Sequence, residues 1–143
     1  MATAKDILAQ IKEKDVKYVD VRFTDMRGQM QHVTFDIDLV DEDFLTDGTM
    51  FDGSSIAGWK AINESDMKLR PDLSSANIDP FYQQNTLFLF CDVLNPDTNT
   101  PYNRDPRSIA KSAMTFMKSA GVGDTVYFGP EAEFFIFDDV RWN

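Results

Sequence analysis

The run Thr86-Leu87-Phe88-Leu89-Phe90-Cys91-Asp92-Val93-Leu94 leaves the chain the fewest options. So few of these side chains suit water that Thr86 to Val93 reads as a strand at the centre of a sheet. A central strand needs partners, and the sequence offers them. Val19, Val21 and Phe23 alternate with Asp20, Arg22 and Thr24, then Asp25-Met26-Arg27-Gly28 supplies turn chemistry, and the alternation resumes through Val33 and Phe35. This pattern predicts a β-hairpin. Asp66 to Leu69 reads as a further short strand.

Helical signals stand at both ends. Thr3 can cap a helix over about residues 4 to 14, with Asp6 in its first turn and Ile7, Leu8 and Ile11 as one apolar stripe. Asp105 followed by Pro106 is a second start, cap then first helical position. Ile109, Ala113, Phe116, Met117 and Ala120 then make an apolar stripe expected to be buried, Gly121 ends the helix, and Thr125 to Phe137 reads as a strand. Between these signals, 36–51 reads as loop with a short helical turn. Residues 52–80 are rich in Gly, Ser, Asp, Asn and Pro, and read as mostly irregular backbone, which inside a compact domain is often functional. Asn95 to Pro101 is a turn-rich break and marks a domain boundary. The last helix and strand have too little chain after that boundary to cover them, so the sequence is expected to be cut short.

Hydrophobic residues at 43% and charged residues at 27% exclude a disordered chain. Fourteen Lys and Arg against 24 Asp and Glu give a net charge of -10, which repels phosphate backbones and anionic membrane surfaces. Neither nucleic acid nor a membrane is an expected partner. The acidity suits divalent cations, although solubility alone also explains it. Cys91 is the only cysteine, so no internal disulfide can form, a pattern that fits a reducing cytoplasm. The residues Met1 to Asp6 carry no targeting pattern, and no segment reaches membrane-spanning length.

Two places could carry chemistry. Glu131 and Glu133, one residue apart in a strand-like run, would project from the same face among Phe128, Phe134, Phe135, Ile136 and Phe137. Paired carboxylates in apolar surroundings call for a cation or protons, and hard ions such as Mg²⁺ or Mn²⁺ take such oxygen ligands. Glutamates that merely face water give the same pattern. Phe51-Asp52-Gly53-Ser54-Ser55-Ile56 sets an acid in a tight Gly/Ser turn, where its oxygens either bond nearby amides or project toward a ligand. Trp59, just beyond, either covers a pocket or anchors its loop to the core. His32, the only histidine, falls in a predicted strand and is given no catalytic role. No Walker-type phosphate loop, dinucleotide fingerprint or zinc spacing is present.

In identity, order and spacing, four segments resemble type I glutamine synthetases. They are Phe51 to Ile56, Asp66 with Leu69-Arg70-Pro71-Asp72, Asn103-Arg104-Asp105-Pro106-Arg107, and Gly129-Pro130-Glu131-Ala132-Glu133-Phe134-Phe135. The resemblance covers essentially the whole chain and implies an α+β fold. A β-grasp amino-terminal domain would span 1–103, followed by the first helix and strand of the catalytic domain over 104–143, truncated. It further implies ligation of ammonia to glutamate through γ-glutamyl phosphate, with ATP as substrate and two or more Mg²⁺ or Mn²⁺ ions. Glu131 and Glu133 would each hold one metal ion. Asp52 would attract ammonium and take its proton, with Ser55 beside it in the ammonium pocket and Asp66 as an acidic partner. In the family this loop reaches the neighbouring subunit's active site, and a dodecamer of two stacked rings is implied for the full-length parent. The 143-residue piece alone is expected to be inactive. Two competing readings are a glutamate-amine ligase of the same superfamily, acting on polyamines, and a β-grasp interaction fragment without turnover.

Overall fold

The computed structural model describes residues 2–60 and 65–142. It divides into two units, Met1–Ser112 and Ala113–Asn143. In the first unit Thr3 caps helix α1 (Ala4–Glu13). The Thr3 hydroxyl accepts the Asp6 N–H at 3.3 Å while the Asp6 carboxylate accepts the Thr3 N–H at 2.8 Å. This reciprocal capping satisfies two backbone donors at the helix start, and the cap is worth roughly 0.5–2 kcal/mol. Of the predicted stripe the helix buries Ile7 and Ile11 and half-buries Leu8, and it buries Ala4 as well.

A six-stranded sheet lies beneath it. The predicted hairpin forms as β1 (Tyr18–Thr24) and β2 (Met30–Asp36), paired antiparallel from Tyr18 with Asp36 to Thr24 with Met30. After helix α2 (Glu42–Thr46) come β3 (Thr49–Asp52), β4 (Asp66–Pro71), β5 (Asn77–Ile78) and β6 (Thr86–Leu94). The order across the sheet is β2-β1-β6-β4-β3, so the apolar run does take the centre. Its first half runs parallel to β1, and on its other edge it pairs antiparallel with β5 and then β4. Between β4 and β5 a 3₁₀ turn, Leu73–Ser75, interrupts the ladder. There the Ser75 hydroxyl accepts the Phe90 N–H at 2.8 Å, keeping that backbone donor satisfied.

Alternation sorts the sheet into two faces. Val19, Val21, Phe23, Met67, Leu69, Leu87, Leu89, Cys91 and Val93 face the core with the apolar residues of α1 and with Phe44 and Leu45 of α2. Burial and the neighbouring Asp92 push the Cys91 thiol far up, so it stays protonated and inert. The opposite face carries the polar partners. Asp20, fully buried there, accepts hydrogen bonds from Arg22 at 2.7 Å, His32 at 2.8 Å and Thr34 at 2.7 Å. Arg22 also donates to Asp79 at 2.5 Å and lies over the Phe88 ring. His32 thus has a structural partner.

Three sequence expectations change. The segment 36–51 holds, besides its helical turn, the edge strand β3, whose alternation of Thr49 and Phe51 inward with Met50 and Asp52 outward is only four residues long. Helix α3 (Pro106–Ser119) forms from its Asp105-Pro106 signal, but its stripe is not buried: Ile109, Ala113, Phe116 and Ala120 are exposed and Met117 is half-buried. The strand expected over 125–137 is absent, and Phe134, Phe135, Ile136 and Phe137 are all exposed. Both corrections have one cause. A strand's N–H and C=O groups need a neighbouring ladder, an apolar face needs a second layer, and the described residues supply neither. Among the described residues no helix is long and apolar enough to cross a membrane.

Candidate functional site

Asp52 ends β3 and Asp66 begins β4, and the register of this antiparallel pair sets them directly opposite each other on the outer face. Opposed residues in such a ladder hold their Cβ atoms about 4.5–5.5 Å apart. Both side chains are exposed, and neither forms an ion pair among the described residues. Like charges so placed destabilise a sheet unless a cation is shared between them. The sheet thus brings together two of the residues singled out in the sequence, from separate motifs.

The turn after Asp52 fixes one of its oxygens. Gly53–Ser55 is a 3₁₀ turn capped by Asp52, whose Oδ1 accepts the Ser54 N–H at 2.8 Å and the Ser54 hydroxyl at 2.6 Å. The Ser54 hydroxyl is the main reason the Asp52 carboxyl sits below its ordinary value, with the Ser54 amide and the Ser65 hydroxyl adding to it. Asp52 is therefore firmly anionic at neutral pH. Gly53 is needed for room: its N–H donates to the Ser65 carbonyl at 2.7 Å, and a Cβ there would meet Met67 Cγ at 2.4 Å. Ser55 is exposed in the same turn.

An identical device twenty residues on shows what is special here. Asp72 accepts the Ser74 N–H at 3.1 Å and the Ser74 hydroxyl at 2.6 Å, but its second oxygen is closed by Arg107. Arg107 also donates to Asp92 at 2.9 Å, and Lys111 reaches Asp92 at 2.6 Å. These bonds seat the first turns of α3 on the sheet. Asp105 completes the seat: fully buried, it accepts the Ser108 N–H at 3.1 Å and the Ser108 hydroxyl at 2.6 Å. The motif residues Asp72 and Arg107 thus serve each other, whereas among the described residues no such cation reaches the Asp52 turn.

Trp59 anchors the loop that follows. It is buried within an aromatic cluster, its ring 5.4 Å from Phe23, 6.2 Å from Phe51 and 5.4 Å from Tyr102. Among the described residues its buried indole N–H meets no hydrogen-bond acceptor. Of the two readings of Trp59, core anchor is the one the packing supports. Tyr102 donates its hydroxyl proton to the Trp59 carbonyl at 2.8 Å and Arg104 donates to the Gly58 carbonyl, ties that carry no sequence signal beyond the Asn103-to-Arg107 motif itself.

Glu131 and Glu133 lie in the second unit, in irregular backbone and exposed. Among the described residues no cluster of three or more His, Cys, Asp or Glu is arranged to hold a metal ion. Their chemistry fits a hard divalent cation, which takes carboxylate oxygens, but such ions use six or more ligands and this pair offers a minority.

Comparison with known proteins supplies a family. Residues 15–96 match the glutamine synthetase β-grasp domain, and residues 103–143 match the glutamine synthetase catalytic domain. Over all of its length the chain is 66% identical to a glutamine synthetase of Bradyrhizobium diazoefficiens, and over 99% of its length 66% identical to one of Azorhizobium caulinodans. In each case it covers 30% of the relative. Among solved structures, a glutamine synthetase of Plasmodium falciparum matches with a TM-score of 0.74 at 25% identity, covering 85% of this chain and 23% of that one. The chain thus spans about a third of the length of the curated relatives it matches, and with its β-grasp region matched across the sheet just described it belongs to the glutamine synthetase family.

Proposed function

We propose that the chain is the amino-terminal part of a glutamate-ammonia ligase, and that its outer-face acid pair, Asp52 and Asp66, attracts the ammonium ion. The observation that carries this reading is the contrast between two Asp-x-Ser turns, one neutralised by Arg107 and one left facing a second carboxylate. A small cation supplies what the Asp52 turn lacks, and Ser55 stands beside it as a further oxygen.

The chemistry this asks of Asp52 has two parts. It must first be anionic, which the Ser54 bonds secure. It must then take a proton, which the same bonds oppose, so this transfer runs uphill and is drawn forward by the attack that consumes the ammonia it releases. Ammonium gives one proton to Asp52, the freed lone pair bonds to the γ-carbonyl carbon of γ-glutamyl phosphate, the bond to phosphate oxygen breaks as phosphate leaves with its electrons, and the nitrogen, now more acidic, loses a second proton to the departing phosphate to leave the neutral amide.

ATP would supply the phosphoryl group, and Mg²⁺ or Mn²⁺ ions would neutralise charge on its oxygens. Glu131 and Glu133 are suited to contribute one ligand each, the remainder coming from other residues. The family matches over 15–96 and 103–143 support a β-grasp domain through residue 103 and the start of a catalytic domain from 104. The cytoplasm is the compartment this reading requires, and a homo-oligomer, a dodecamer in the full-length parent, is the assembly. The 143-residue chain by itself should not turn over.

The test compares ATP-dependent phosphate release by the full-length protein with glutamate plus ammonium, and with glutamate plus polyamines. Faster turnover with ammonium is expected. A preference for polyamines would overturn the ammonia assignment and favour the amine-ligase reading.

A further inference from the structure

After β3 the described chain runs from Gly53 to Lys60, and its course there is tied down by a short stretch of chain far away in sequence. Tyr102, buried, donates its hydroxyl proton to the Trp59 carbonyl at 2.8 Å. The Arg104 guanidinium donates to the Gly58 carbonyl and, at 3.5 Å, to the Trp59 carbonyl. Tyr102 is itself fixed, its N–H donating to the Val93 carbonyl at 2.9 Å in the central strand.

From this clamp a relay of turns leads straight to the acid. The Trp59 N–H donates to the Ile56 carbonyl at 3.2 Å, the Ile56 N–H donates to the Gly53 carbonyl at 3.2 Å, and Gly53 adjoins Asp52. Ile56 and Trp59 are buried, so each turn is held on its inner side. Burial of the indole sets how deep the loop sits, but hydrophobic contact is non-directional and leaves rotation about that anchor open. Hydrogen bonds to two successive carbonyls remove that freedom, and Gly58, at φ +82°, presents them in a conformation other residues rarely adopt. The planar guanidinium of Arg104 has donors enough to meet both carbonyls, and among the described residues it forms no ion pair.

We infer that Arg104, seconded by Tyr102, is a positioning residue for ammonium use: it fixes the rotation of the Gly53-to-Trp59 relay and so the aim of Asp52 and Ser55. This rests on the reading of Asp52 as the ammonium-binding acid.

The experiment measures kcat and separate KM values for ammonium, glutamate and ATP in the full-length enzyme, for Arg104→Ala, Arg104→Lys, Asp52→Asn and the Arg104→Ala/Asp52→Asn double variant. Amide hydrogen exchange over 53–60 serves as the readout of loop fixation. Arg104→Ala is expected to raise the ammonium KM about tenfold, since the Gly58 carbonyl loses its charged donor while Tyr102 still holds the Trp59 carbonyl, and the other two KM values should move less than about twofold. Arg104→Lys should recover part of the loss. In the Asp52→Asn background the Arg104→Ala change should add almost nothing, because it acts through Asp52. Equal rises in all three KM values, full additivity with Asp52→Asn, or an unchanged ammonium KM in Arg104→Ala would each overturn the inference. Unchanged ammonium kinetics in Asp52→Asn alone would instead overturn the Asp52 reading and this inference with it.

Discussion

Replacing Trp59 separates two properties of one side chain. Its ring is buried against Phe23, Phe51 and Tyr102, while its buried indole N–H meets no acceptor among the described residues. Truncation to Ala removes the packing and leaves a cavity, a change that costs about 3–5 kcal/mol for a large aromatic. Phe keeps most of the ring contact and deletes the orphaned donor. An unsatisfied buried donor costs about 1–3 kcal/mol, so its removal offsets much of the lost area, and Trp59→Phe should fall within about 1 kcal/mol of the parent. Urea unfolding followed by far-ultraviolet circular dichroism reads both variants without relying on tryptophan emission. A midpoint for Trp59→Phe near the parent's, with Trp59→Ala far below, is the expected result. If Phe costs as much as Ala, the indole N–H has an acceptor in solution and the account of the anchor is wrong.

Acid should weaken the outer face of the sheet through Asp79. The hydrogen bond from Arg22 holds its carboxyl below the ordinary value of 3.8, so the stability it contributes is complete above that value and is lost as pH falls through the lowered one. Thermal unfolding of Asp79→Asn should therefore lie below the parent at neutral pH and converge with it in strong acid; a constant gap would contradict the pairing. In the full-length enzyme, Glu131→Gln and Glu133→Gln should each shift the Mg²⁺ titration of activity to higher concentration, and unchanged titrations would refute the ligand assignment.

Where the sequence was legible, one strong local pattern settled the structure. The apolar run became the central strand β6, the alternation on either side of Asp25-Met26-Arg27-Gly28 became the β1–β2 hairpin, and Thr3 with Asp6 became a capping box. The edge strand β3 reads as loop in the sequence because four residues after Gly48 give too short an alternation to stand out from the acidic stretch before them. Without β3 the residue pattern does not oppose Asp52 and Asp66, and only the family resemblance joins them, since their register exists only once β3 is paired. The α3 stripe and the 125–137 segment show the converse. Their apolar patterns state a need for a covering layer, and a pattern cannot supply the layer. The clamp from Tyr102 and Arg104 depends on backbone carbonyls, which every residue carries and no sequence pattern marks.

The most direct test of the account is the ammonium dependence of Asp52→Asn in the full-length enzyme at neutral pH. This substitution keeps the size of the side chain and its acceptor oxygen for Ser54 while removing the charge and the proton-accepting oxygen. A loss of kcat/KM for ammonium of about 10² to 10⁴, with glutamate and ATP binding retained, is the predicted result. Retention of near-parent ammonium kinetics would contradict the assignment of the Asp52–Asp66 pair as the place where ammonium is held.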